Sequence, residues 1–121
     1  MTEKRIILEM GTGNDLYGQN YTKAARRAVQ DALHHSSITL FSKLGIDHTE
    51  MRVDVTIAVQ EPEQVDCELV ASDLPRGRAT VRAVRGGLDV ADPGAGTRHI
   101  VATAAIEAFL PDMAGRYKLK S

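Results

Sequence analysis

Apolar and polar residues alternate without a break from Met51 to Gln60. Met51, Val53, Val55, Ile57 and Val59 point one way, and Arg52, Asp54, Thr56 and Ala58 point the other. A period of two over this length predicts a β-strand with one buried face. Ile6 to Met10 predict an earlier strand, with Ile6, Leu8 and Met10 on one face, Ile7 and Glu9 on the other, and Gly11 and Gly13 ending it. Arg78 to Arg85 predict a third strand, ended or bulged at Gly86-Gly87. Ile100 to Leu110 fit both a strand and a helix. The β-branched Ile100, Val101, Thr103 and Ile106 decide for strand. This strand is expected to form a hairpin with the third across the 86–98 loop.

The helical period is clearest after Tyr21. Ala24, Ala25, Ala28, Val29, Ala32, Leu33, Leu40, Phe41 and Leu44 recur at spacings of three and four, with Asn20 or Thr22 as the N-cap. The early apolar face is largely alanine, so this helix can lie close against a sheet. Ser36 to Thr39 are poor helix formers that bend or break it, and Gly45 stops it. A short second helix is expected from Cys67 to Leu74, capped by Asp66 and ended by Pro75. Residues 112–121 read as a polar, basic tail.

The resulting order is β-α-β-α-β-β. A helical crossover between the first two strands makes them parallel neighbours. The expected fold class is α+β: one two-layer domain over 1–121, a four-stranded mixed sheet with both helices on one face. The other face carries Glu9, Arg52, Asp54, Thr56, Thr80, Arg82, Thr103 and Glu107, with Ile7, Ala58 and Ala105 adding apolar area. It is either a solvated sheet face or a subunit interface. The interface is the favoured reading, because tryptophan is absent and the small aliphatic core gains from shared burial.

Charge removes several function classes. Net charge is −1, so the domain lacks a basic nucleic-acid footprint. No segment approaches the length of a membrane span, the N-terminus carries no apolar leader, and a cytoplasmic location is expected. The one cysteine, Cys67, forms no internal disulfide, and His34-His35 point about 100° apart on a helix, so no metal or other cofactor is expected.

Candidate chemistry gathers where the first strand meets the first helix. Gly11-Thr12-Gly13 lacks the third glycine of a dinucleotide fingerprint, since Leu16 stands there. Its polar neighbours still suggest a small-molecule site, with Gly11, Thr12, Gly13, Asn14, Gly18 and Arg26 as ligand-binding residues. Asp15 is a general base or an N–H acceptor if functional, and an Asx-turn or cap if structural. Tyr17 offers a phenolic hydrogen bond, and Lys23 and Arg26 place cations where the helix dipole disfavours them unless an anion sits alongside. Glu61, at the end of the second strand, approaches the glycine turn if the first two strands are neighbours. The catalytic candidates are therefore Asp15, Tyr17, Lys23 and Glu61, for metal-independent hydrolysis or isomerisation of a small amide or heterocycle. The alternative is a non-catalytic homo-oligomeric interaction protein.

Gly11-Thr12-Gly13-Asn14-Asp15-Leu16-Tyr17-Gly18 resembles the GxGxDxHG motif of a small bacterial and plant family. The likeness extends through Gln19, Thr22 to Ala25, Arg27 to Val29 and Asp31-Ala32, then to Pro62–Asp66 and Gly86-Gly87-Leu88. It implies one domain of this length and no settled activity, and Tyr17 stands where the motif has histidine. Gly13-Asn14-Asp15, Thr22 and Ala24-Ala25 are also similar in order to the repeated domains of the ring-opening amidohydrolases, the cyanuric acid hydrolases and barbiturases. Their Ser–Lys pairs have no counterpart here, so this likeness implies architecture alone: a trimer of single domains.

Overall fold

The computed structural model describes residues 3–16, 19–34, 52–74, 78–94 and 96–111. In chain order they form β1 (Glu3–Asp15), α1 (Tyr21–His34), β2 (Arg52–Val59), a 3₁₀ turn (Pro62–Gln64), α2 (Cys67–Ala71), β3 (Arg78–Arg85), β4 (Leu88–Asp92) and β5 (Thr97–Pro111). The fold is α+β, a mixed open sheet of five strands with two helices packed on it. The expected continuation of α1 to Leu44, its stop at Gly45, Pro75 and the 112–121 tail lie outside the described residues.

β5 is the centre of the sheet. The strand order is β1-β5-β2-β3, and β4 also pairs with β5. β2 and β3 are parallel; β1, β2 and β4 all run antiparallel to β5. β1 and β2 therefore share a direction, as a helical crossover requires, but they are not neighbours. The expected β1–β2 pairing is corrected by β5, which inserts between them. β5 suits that place because Ile100, Ala102, Ala104, Ile106 and Ala108 are all buried on one face.

The expected hairpin of the third strand with the last is also corrected. Arg78–Arg85 lies on the far side of β2, and the hairpin partner of β5 is the additional strand β4. Gly86-Gly87 ends β3 as expected and makes the connection to β4. Gly86 N–H donates to the Val59 carbonyl at 2.9 Å, and Gly87 turns the chain at φ +62 across the end of β2. Any Cβ at Gly87 would meet the Val101 carbonyl at 2.4 Å.

β1 runs straight through Gly11 and Gly13, which face α1 in register with Ala104 and Ala102. Their missing side chains let the backbone of α1 come down onto the strand at Ala24, Ala28 and Ala32. The alternation then turns Leu8 and Met10 outward onto the bare face, not inward as expected, and both are exposed. One core joins Ala24, Ala25, Ala28, Val29 and Ala32 of α1 to Val53, Val55, Ile57 and Val59 of β2 and to Val70 of α2. The Met51–Gln60 alternation holds throughout β2.

Candidate functional site

Asn20 caps α1. Its side-chain oxygen accepts from Lys23 N–H at 3.0 Å and its carbonyl from Ala24 N–H at 3.1 Å. This sets Tyr21 as the first helical residue, with its side chain on the sheet side and only 3 % exposed. The phenol reaches the far end of β2 and the start of the β4–β5 hairpin. Its O–H donates to Glu61 Oε2 at 2.8 Å, and its oxygen also meets Asp89 Oδ2 at closer range. Arg98 bridges the same two carboxylates, Nη2 to Glu61 Oε2 at 3.4 Å and Nη1 to Asp89 Oδ2 at 3.3 Å. Gln64 Nε2 donates to Glu61 Oε1 at 2.8 Å.

Counting protons shows what this arrangement can do. A phenol donates one hydrogen, yet two carboxylate oxygens approach it. Burial first, then the hydrogen bonds to Asp89 and Glu61, hold the Tyr21 hydroxyl far above the usual phenol range. At neutral pH it is a fixed donor and neither a base nor a nucleophile. Three of the four carboxylate oxygens are engaged. Among the described residues, Asp89 Oδ1 is buried with no hydrogen-bond partner, a costly condition for a carboxylate oxygen. Arg98 and Glu61 are part-exposed and open the cluster to solvent.

The motif at the end of β1 flanks this cluster. Asp15 and Asp89 both pair with Ile100, one on each edge of β5, so their backbones lie about 10 Å apart. Asp15 is only 4 % exposed. Its Oδ2 accepts from Asn20 N–H at 2.9 Å, and Arg27 Nη1 lies 3.7 Å from its Oδ1. Arg27 Nη1 also donates to the Asn14 carbonyl at 2.6 Å, and His99 Nδ1 sits on the Leu16 carbonyl. Asp15 thus ties β1 to the start of α1, with Gln19 in the left-handed region at φ +50.

The other predicted residues do not converge on one point. Gly11 and Gly13 lie under α1, so the expected glycine turn is replaced by continuous strand. Thr12 N–H donates to Asp31 Oδ2 at 2.9 Å. Arg26 makes a two-pronged pair with Asp73, Nε to Oδ2 at 2.7 Å and Nη2 to Oδ1 at 3.0 Å, joining α1 to the end of α2. Lys23 and Asn14 are exposed. Tyr17 and Gly18 lie outside the described residues. Glu61 does come near the start of α1, but it meets Tyr21 instead of the glycines. Tyr21, Asp89 and Arg98 escaped the sequence reading, because 86–98 reads as loop and only the β4–β5 hairpin brings Asp89 beneath the phenol.

Among the described residues, no group of three or more His, Cys, Asp or Glu side chains is placed to hold a metal ion. No helix there is long and apolar enough to cross a membrane. A shallow concavity of about 480 Å³ is lined by Met10, Thr12, Thr56, Ala58, Thr103 and Ala105 of the bare sheet face, by Gly11 and Ala104, and by Asp31 of α1.

Among curated proteins, none matches this chain. Among solved structures, it is similar to the crystal structure of an FtsZ-like protein of unknown function from Nostoc punctiforme PCC 73102. The two are 38 % identical over 93 % of this chain and 99 % of that one, with a TM-score of 0.78. The family described as conserved hypothetical protein, Lin0512, matches residues 5–108, and the chain belongs to that family.

Proposed function

We propose that this protein binds a small polar molecule bearing N–H donors, an amide or nitrogen heterocycle, where Tyr21, Glu61, Asp89 and Arg98 converge. The observation that carries this reading is Asp89 Oδ1: buried, without a partner among the described residues, in a cluster whose other carboxylate oxygens are all engaged. A ligand N–H would satisfy it, and a ligand carbonyl would find the part-exposed Arg98 guanidinium alongside. Asp15 and Asn20, joined by the Asn20 N–H to Asp15 Oδ2 hydrogen bond, stand beside the cluster.

The reading extends to metal-independent hydrolysis or isomerisation of such a ligand. Glu61 would accept a proton, the Arg98 guanidinium would hold an oxygen, the Tyr21 phenol would fix the two carboxylates in place, and Asp15 would hold the start of α1 beside them. Lys23 would offer a cation to an anionic group beside the first turn of α1.

Thermal shift and titration calorimetry with cyclic amides such as uracil and hydantoin test the binding step. The wild type should be stabilised by a binding member of the series, and Asp89→Asn and Arg98→Met should lose that stabilisation while keeping the fold. A ligand response that both variants retain would put the site elsewhere. No response across the series would remove the ligand class.

A further inference from the structure

The bare face of the sheet is as notable as the covered one. Leu8, Met10, Val84, Leu88 and Val90 are all exposed. Strand register puts them on one surface: Leu88 pairs with Val101 and Val84 with Ala58, while the intervening Asp89 points to the helix side. Met10 is 68 % exposed and Leu88 61 %. Isolated apolar side chains at a surface are ordinary; several on one continuous sheet face mark a contact surface.

We infer that this face docks a second copy of the chain, sheet against sheet across a two-fold axis. Three observations select that occupant. The first is size. Four strands abreast, the length of β2, with β4 continuing past its end, present about 600 Å² per copy, from the usual strand spacing and rise. Two copies would bury about 1,200 Å², the lower bound of a stable interface.

The second is charge. The face divides into an apolar half, around Met10, Ala58, Val84 and Leu88, and a charged half. The charged half holds Arg5 paired with Glu107 at 3.2 Å, Arg52 paired with Asp54, and Arg82 donating to Thr56 at 3.1 Å. A two-fold axis along the strands lays apolar half on apolar half. It also lays a region of both signs on itself, so arginines of one copy can meet carboxylates of the other. A partner of strongly acidic or basic character would find no match here.

The third is shape. The 480 Å³ concavity is floored by the small residues Thr56, Ala58, Thr103 and Ala105. It can receive an apolar side chain standing up from the same surface, as Met10 does. A single self-complementary face closes with two copies. The trimer implied by the amidohydrolase likeness would need two different patches.

Light scattering and sedimentation on the full chain test this, with Met10→Glu/Leu88→Glu as the interface variant. Leu69→Glu, an exposed site on α2 in the helical layer, serves as the control. The wild type should run at twice the chain mass of 13.1 kDa. The double variant should associate about 30-fold more weakly or worse, the loss typical of removing an interface anchor, and the control should not change. Should the double variant fail to fold, peroxide oxidation of Met10 in the wild type gives a second readout, slowing as protein concentration rises. A wild type that stays at monomer mass, a trimer mass, a dimer indifferent to Met10→Glu/Leu88→Glu, or Met10 oxidation independent of concentration would each overturn the inference.

Discussion

A Cβ on Gly13 would lie 2.2 Å from the backbone nitrogen of Ala28. No side-chain rotation relieves that contact, because both partners are main chain. Gly11 stands in the same relation to Ala32, at 2.4 Å from its nitrogen. The glycines and the Ala24, Ala28 and Ala32 row are therefore two halves of one packing device, in which helix and strand touch backbone to backbone.

Gly13→Ala should consequently act on stability. One methyl group forces α1 off β1, and overpacking of this kind costs about 3 kcal/mol. Urea denaturation reads the loss directly. A variant as stable as the wild type would mean that the glycine serves something other than helix packing.

Asp15→Ala should also cost stability, about 2 kcal/mol, the usual penalty for stranding a buried donor. Its carboxylate receives the Asn20 amide and faces Arg27. Removing it leaves that amide unpaired at the start of α1. Asp89→Asn, with an oxygen that already lacks a partner, should cost less than Asp15→Ala in the same urea titration. Equal losses at the two positions would contradict the division of labour between a tether and a binding group.

The contrast between these aspartates marks where sequence reading stops. β2 and the inward face of β5 were legible because a buried sheet face writes a period of two into the chain, and Ile57 and Ile106 obey it. Asn20 was legible as a cap because capping is local. Gly11 and Gly13 were misread because glycine marks a turn and a close approach with the same letter. Only Ala24, Ala28 and Ala32, spaced at fours, hinted at the second. The insertion of β5 between β1 and β2 and the meeting of Tyr21 with Asp89 depend on pairings far apart in the chain, which leave no local pattern.

Cys67 should react slowly with disulfide reagents. Burial and the nearby Asp66 carboxylate both push its thiol above the usual range. The thiolate is the reactive form, so less of it is present at any given pH. Stopped-flow kinetics against a simple thiol would check this. Reaction at the rate of an exposed model thiol in the native protein would be inconsistent with the packing of α2.

Tyr21 should make the protein sensitive to alkaline pH. In the unfolded chain its phenol ionises near 10, whereas burial and the two carboxylates hold the native hydroxyl protonated well beyond that. The sign follows from proton counting: above pH 10 the unfolded state has released a proton that the folded state keeps, so raising pH favours unfolding. The Tyr21 contribution is complete below pH 10 and is lost progressively above it. Tyr21→Phe keeps the ring and removes the hydroxyl, costing about 1–3 kcal/mol at neutral pH, and it should flatten the alkaline limb. Urea midpoints for both proteins between pH 8 and pH 11 provide the comparison. The phenolate absorbance of Tyr21 should appear only on unfolding. Parallel alkaline limbs in wild type and Tyr21→Phe would show that the proton is not held where the geometry puts it.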